Sequence, residues 1–249
     1  MKIVGLQFNF YTKRMDTLKE DIALFSEASK AFFKEPLRYT GFDSSKPVDL
    51  PRIIGEPKMG FMFTVSMQNL QIMYNAIPAE IDDSFVLDTL SNIVEKMGSF
   101  LENYIDCPYN FVGLTLHIEV KEAELGDNPL LHMIKKMPSF DTKSAIDNMT
   151  SKVAFIEPPY FVNFSMHNEH KMRISAPDKF SKPTSIEVGD DVLIVDFDVN
   201  DKYSFFNDAS YKPCVEDATK LVDNVIRFYN EEMLTFIKEG KINHFFLGK

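Results

Sequence analysis

A chain of 249 residues with 45% hydrophobic and 26% charged residues has globular composition, in one large domain or two small ones, and is too apolar to be mainly disordered. Ten Gly and 13 Pro exclude collagen-like and linker-like chains. Lys plus Arg total 27 against 37 Asp plus Glu, a formal charge of −10, which argues against bulk nucleic-acid binding because that depends on neutralising phosphates with basic side chains.

Residues 2–10 alternate, with Val4, Leu6, Phe8 and Phe10 on one side and Ile3, Gly5, Gln7 and Asn9 on the other, the pattern of a strand with one buried face. The same interruption by Gln7 and Asn9 argues against a signal peptide. A helix is expected over 17–34: Thr17 and Glu20 have capping-box spacing, Leu18, Ile22, Phe25 and Phe32 share a face, and Pro36 forbids continuation. Residues 35–58, rich in Pro and Gly, read as a long irregular loop of the kind that often carries binding groups. Apolar runs at 61–66 and 70–76, separated by Gln68-Asn69, predict a hairpin. A second helix follows at 84–104, striped by Leu87, Leu90, Val94, Met97 and Leu101.

The most regular strand pattern spans 111–121. Val112, Leu114, Leu116, Ile118 and Val120 face inward; Thr115, His117, Glu119 and Lys121 face outward. A polar outer face predicts an antiparallel sheet with one wet side. A short helix is expected at 129–137 between Pro129 and Pro138. Strand runs then crowd together at 152–157, 160–167, 171–176, 184–188 and 191–199, and a long helix at 214–238 closes with Gly240 as its C-cap. This order predicts an α+β fold: mostly antiparallel sheet packed by two or three long helices, its first half ferredoxin-like (βαββαβ). The natural divisions are 1–121, a connecting segment 122–151, and 152–249, either as separate halves or as one continuous domain. No short-period repeat is present, which excludes solenoids and propellers.

Chemistry-bearing motifs are sparse. There is no GxGxxG, no P-loop, no GxSxG elbow and no HExxH. His167-Asn168-Glu169-His170 has i, i+3 spacing between two strand runs and reads as a polar hairpin turn rather than a zinc site. Asp196 and Asp198 lie two apart on a predicted strand whose other face, Leu193, Val195, Phe197 and Val199, is apolar. Two carboxylates on one face are candidates for holding Mg2+ or Mn2+. His117 on the wet face of the 111–121 strand and Arg52 at the end of the long loop are candidate binding residues, Arg52 as an anion clamp or as a structural ion-pair partner. Cys107 and Cys214 form no CxxC pair and read as reduced thiols of a cytosolic protein. No stretch of about 18 apolar residues marks a membrane span. No cofactor is implied.

Three segments taken together resemble a family. They are Phe111-Val112-Gly113-Leu114-Thr115-Leu116-His117-Ile118-Glu119-Val120 directly after a long amphipathic helix, Val192-Leu193-Ile194-Val195-Asp196-Phe197-Asp198-Val199, and the terminal helix with Phe228-Tyr229-Asn230-Glu231-Glu232-Met233-Leu234-Thr235-Phe236-Ile237. In this order, and at this length, they resemble a sporadically distributed bacterial family of uncharacterised proteins. The family's central strand carries an Arg and a Tyr-Ile-Asn where this chain has Thr115-Leu116-His117. The resemblance implies a bacterial origin and a role in an accessory or mobile-element system. It carries over no catalytic residue.

The reading these features favour is a non-catalytic interaction module whose acidic surface engages a basic protein partner. A divalent-metal enzyme built on Asp196 and Asp198, with His117 beside them, and a sensor of a small apolar ligand are the alternatives. A sheet edge together with the C-terminal helix offers surfaces for a homodimer.

Overall fold

The structure, a computed structural model, describes residues 1–42, 45–76, 81–104, 109–136, 148–175 and 184–241, with the side chains of 172–174 and 186–188 left aside. The chain forms β1 (Lys2–Thr12), α1 (Ile22–Ser29), β2 (Lys34–Tyr39), β3 (Ile53–Lys58), β4 (Phe61–Val65), β5 (Asn69–Asn75), α2 (Asp83–Tyr104) and β6 (Tyr109–Lys121). It continues with α3 (Glu122–Leu125), α4 (Pro129–Lys135), β7 (Thr150–Glu157), β8 (Tyr160–Ser175), β9 (Ser185–Asn200), α5 (Lys202–Asn207), α6 (Val215–Glu231) and α7 (Met233–Glu239). The strands make one nine-stranded sheet in the order β2-β3-β4-β5-β1-β6-β9-β8-β7, with every described neighbouring pair antiparallel.

The alternating residues of the central strands put one apolar face together. Leu6, Phe8 and Phe10 of β1, Val112 to Val120 at alternate positions of β6, and Leu193, Val195, Phe197 and Val199 of β9 are all buried. Onto this face pack α2 and α6. Leu90, Val94, Met97 and Leu101 of α2 and Leu221, Val225 and Phe228 of α6 are buried in the same core cluster, with Phe228 against Phe197 at 5.1 Å between ring centroids. Asp83, in the first turn of α2, accepts the Ile3 N–H at 3.1 Å and the Tyr229 hydroxyl, tying β1, α2 and α6 at one point. The helices approach closely at Gly98, where an added Cβ would stand 2.9 Å from Val215 Cγ2. Val215 N–H donates to Glu102 at 2.5 Å beside this contact.

α2 joins β5 to β6, which run parallel with β1 antiparallel between them, a split βαβ arrangement, but β2 and β3 make the first half βαββββαβ and not the expected βαββαβ. The second half repeats the plan. In the first, β1 is followed by an excursion, a hairpin (β4-β5) that returns to pair with β1, and α2. In the second, β6 is followed by an excursion, strands β8-β9 that return to pair with β6, and α6. The sheet therefore passes unbroken through the expected boundary at residue 121.

Several expectations are corrected. The helix expected over 17–34 is confined to α1, because Thr17 and Asp21 are both engaged by the Tyr104 hydroxyl, at 3.1 and 2.5 Å, and do not cap a longer helix. Residues 35–58 are not wholly irregular. They contain β2, an edge strand in which Pro36 forfeits no ladder bond toward solvent, and β3. A register shift between Ile3 and Gly5 turns Ile3 to the buried face with Leu6. The five C-terminal strand runs are three strands, and His167–His170 lies inside β8, not in a turn. Its polar residues continue the strand because β9 and β6 offer partners: Asp191 for His170 at 2.6 Å and Glu119 for Lys171. The last helix breaks at Glu232 into α6 and α7, with Gly240 left-handed at the C-cap as expected. The expected end of the short helix at Pro138 lies outside the described residues.

Candidate functional site: the open face of the sheet

Helices α2 and α6 cover one face of the sheet. On the other face the odd-numbered residues of β6 and β8 meet the even-numbered residues of β9. Antiparallel register aligns them into rows. One row runs Gln7, Thr115, Asp198, Asn163; the next runs Gly5, His117, Asp196, Ser165; a third brings Gln71, Asn9, Gly113, Asn200 and Phe161 together. The short helix α5 stands over one end of this face, with Phe205 on Phe111 and Tyr203 on Phe161.

His117 and Asp196, singled out by type and strand phase, are cross-strand partners: Nδ1 lies 2.7 Å from Asp196 Oδ1. This bond, and further off the His167 ring, hold the Asp196 carboxyl below the usual carboxylate range, against the opposing effect of its partial burial. Asp198 on the same face accepts from Thr115 Oγ1 at 3.1 Å, Asn163 Nδ2 at 2.9 Å and Asn200 Nδ2 at 3.1 Å. Further along, Asn9 Oδ1 accepts from Gln71 and Asn69 at 3.2 and 3.3 Å. The face thus carries three separate hydrogen-bonded clusters of carboxylates, imidazole, carboxamides and hydroxyl, each half-buried or better.

Its chemistry is narrower than its composition suggests. Asp196 lies between His117 and Ser165 in the row, whereas nucleophilic catalysis needs the imidazole between hydroxyl and carboxylate. Among the described residues no group of three or more His, Cys, Asp and Glu side chains converges as a metal cage would require. The two carboxylates are instead occupied by an imidazole and by three neutral donors.

Arg52 is far from this face in role. It is 1% exposed, and its Nη atoms donate to the carbonyls of Gly41, Lys46 and Pro47 at 3.0–3.2 Å. It braces the loop it follows, through carbonyls rather than carboxylates. Cys214 is a free thiol at the N-cap of α6; Cys107 lies outside the described residues. No described helix is long and apolar enough to cross a membrane.

Sequence reading gave Asn163, Ser165, Asn200 and Lys202 no place in a site. The alternation of 161–167 carries the signal, since pairing of β8 with β9 sends Asn163 and Ser165 to the side of Asp196 and Asp198. That pairing was not legible without the register. Comparison with protein-family models, with curated proteins and with solved structures finds no match to this chain.

Proposed function

We propose that this chain is a non-catalytic interaction module that docks a basic protein segment on the open face of its sheet. The observation that carries the reading is the polar face that the two long helices leave uncovered among the described residues. Two long helices complete the core on one side, while the other side keeps Asp196, Asp198 and clusters of amide and hydroxyl groups in half-buried, pre-ordered positions. Such groups are held by neighbours before any partner arrives, which lowers the ordering cost of docking. The chain's formal charge of −10 draws a cationic partner to it from a distance. An accessory-system role, implied by the family resemblance, belongs to the same reading.

The test is a titration of 15N-labelled protein with a short Arg/Lys-rich peptide at low and high salt. The reading expects salt-sensitive binding whose shift changes fall on β6, β8 and β9 residues of the open face. Absence of binding at low salt, or shifts confined to α2 and α6, would overturn it.

A further inference from the structure

The open face holds a feature that deepens the docking reading and rests on it. Where β7, β8, β9 and α5 meet, residues including Ile156, Phe161, Asn163, Asp198, Asn200 and Lys202 line a cleft of about 490 Å³. Its floor obeys a simple hydrogen-bond arithmetic. A carboxylate only accepts, so the contacts of Asn163 and Asn200 with Asp198 Oδ2 fix the nitrogen of each carboxamide toward Asp198. Each carboxamide oxygen is then turned away from it. Asn200 is 9% exposed, and its Oδ1 is buried without a donor among the described residues, so the carboxamide oxygen offered to the cleft is that of the half-buried Asn163. Asp198 Oδ1 accepts only the Thr115 hydroxyl and keeps a lone pair in hand.

The Thr115 hydroxyl and one N–H of each carboxamide are spent on Asp198, so what the floor has in excess is negative charge. The complementary group is rich in donors and positive to match Asp198, which has no cation at ion-pair distance among the described residues. Ammonium and guanidinium groups meet that description. Acceptors spread over a carboxamide and a carboxylate suit a planar fork better than a point charge. The walls agree: Ile156 is 57% exposed and offers apolar surface to an alkyl stem, and Phe161 lines the cleft as an aromatic wall for a cation. Lys202 borders the cleft, but its ammonium lies over the rings of Phe111 and Tyr11, at 4.8 and 5.6 Å, on strands across β9 from β8 and β7.

We propose that this cleft is a socket for an arginine side chain of the basic partner, with Asp198 as counter-charge, the Asn163 oxygen as a further acceptor, and Phe161 and Ile156 as walls. The experiment titrates 15N-labelled protein with N-acetyl-arginine methylamide, with its neutral citrulline isostere, and with the Arg/Lys-rich peptide, reading the side-chain amide resonances of Asn163 and Asn200. The arginine derivative is expected to move both resonances with weak affinity, in the millimolar range typical of about −4 kcal/mol. Asp198→Asn is expected to weaken it at least tenfold, and the citrulline compound to leave both resonances in place. Should Asp198→Asn disturb the fold, Ile156→Arg, at an exposed position, fills the cleft from its own edge strand and is expected to block the arginine derivative.

Equal shifts with citrulline, or none with arginine, would overturn the socket. A peptide that binds wild type and both variants equally would overturn the socket while the docking reading stands. Binding of the single arginine derivative without binding of the peptide would overturn the docking reading alone.

Discussion

Replacing Asp201 by asparagine isolates a single buried charge. Asp201 is 1% exposed at the junction of β9 and α5, where its carboxylate accepts the Val112 N–H at 2.7 Å and the Tyr211 hydroxyl at 2.6 Å. Burial raises its pKa from the ordinary 3.8 to about 6, with the two hydrogen bonds opposing the shift. The folded protein therefore holds this proton more tightly than the unfolded chain does. Its stabilising contribution is fully present below about pH 3.8 and is lost as pH rises through about 6. A rise of about two units at 1.36 kcal/mol per unit makes the loss about 3 kcal/mol. An asparagine at this position copies the protonated state: its oxygen can accept from Val112 and its nitrogen can donate to the Tyr211 oxygen. The stability of Asp201→Asn relative to wild type should accordingly climb by about 3 kcal/mol between pH 4 and pH 8. The depressed carboxylates Asp191 and Asp196 act in the opposite sense, but they are common to both proteins and cancel in the difference. Urea unfolding followed by circular dichroism across that range, on dilute protein because the pI is near 5.0, gives the comparison. A difference that is flat with pH, or that shrinks as pH rises, would refute the assignment of the raised pKa to this buried carboxyl.

Other perturbations test the frame around the open face. Phe197→Ala removes a ring packed between Phe164 and Phe228 at 4.5 and 5.1 Å and should cost about 3–5 kcal/mol of unfolding free energy in the same urea assay. Gly98→Ala forces α2 from Val215 and should cost about 1–3 kcal/mol; a neutral result would mean that the two helices separate freely there. Arg52→Leu leaves the carbonyls of Gly41, Lys46 and Pro47 without their donor and should destabilise by about 2–4 kcal/mol; unchanged stability in the urea assay would refute the bracing role. A melting curve of the wild-type protein in Mg2+ or Mn2+ should match one taken without metal; a shift that Asp196→Asn abolishes would favour the metal site instead.

Periodicity made the framework legible wherever one face was strictly apolar. The phases of β6 and β9, the stripe of α2 and the hairpin β4-β5 all stand where alternation put them. It failed where polar side chains are satisfied by distant partners. Thr17 looks like a helix cap until Tyr104 claims its hydroxyl, and His167–His170 looks like a turn until Asp191 and Glu119 supply its neighbours. The site was half legible for the same reason. Strand phase sufficed to put Asp196 and Asp198 on one side. Their pairing with His117, Thr115 and Asn163 depends on which strands are neighbours, and that is decided by the whole core. Arg52 shows the converse: an arginine after a Pro-rich loop invites an anion, yet the loop's own carbonyls consume it.

The position of β6 at the middle of the sheet has a consequence for synthesis. As the chain leaves the ribosome, β6 can join β1 at once, but its other edge waits for β9. From Lys121 to Asn200 the ribosome needs about 4–16 s at common elongation rates. For that interval the apolar run Val112 to Val120 carries an open backbone edge, and its share of the face that α6 will cover is still wet. A slow stretch of translation between β6 and β9 would prolong this exposed state. Chaperone demand in the cell should therefore rise with delays in that window far more than with delays after Asn200.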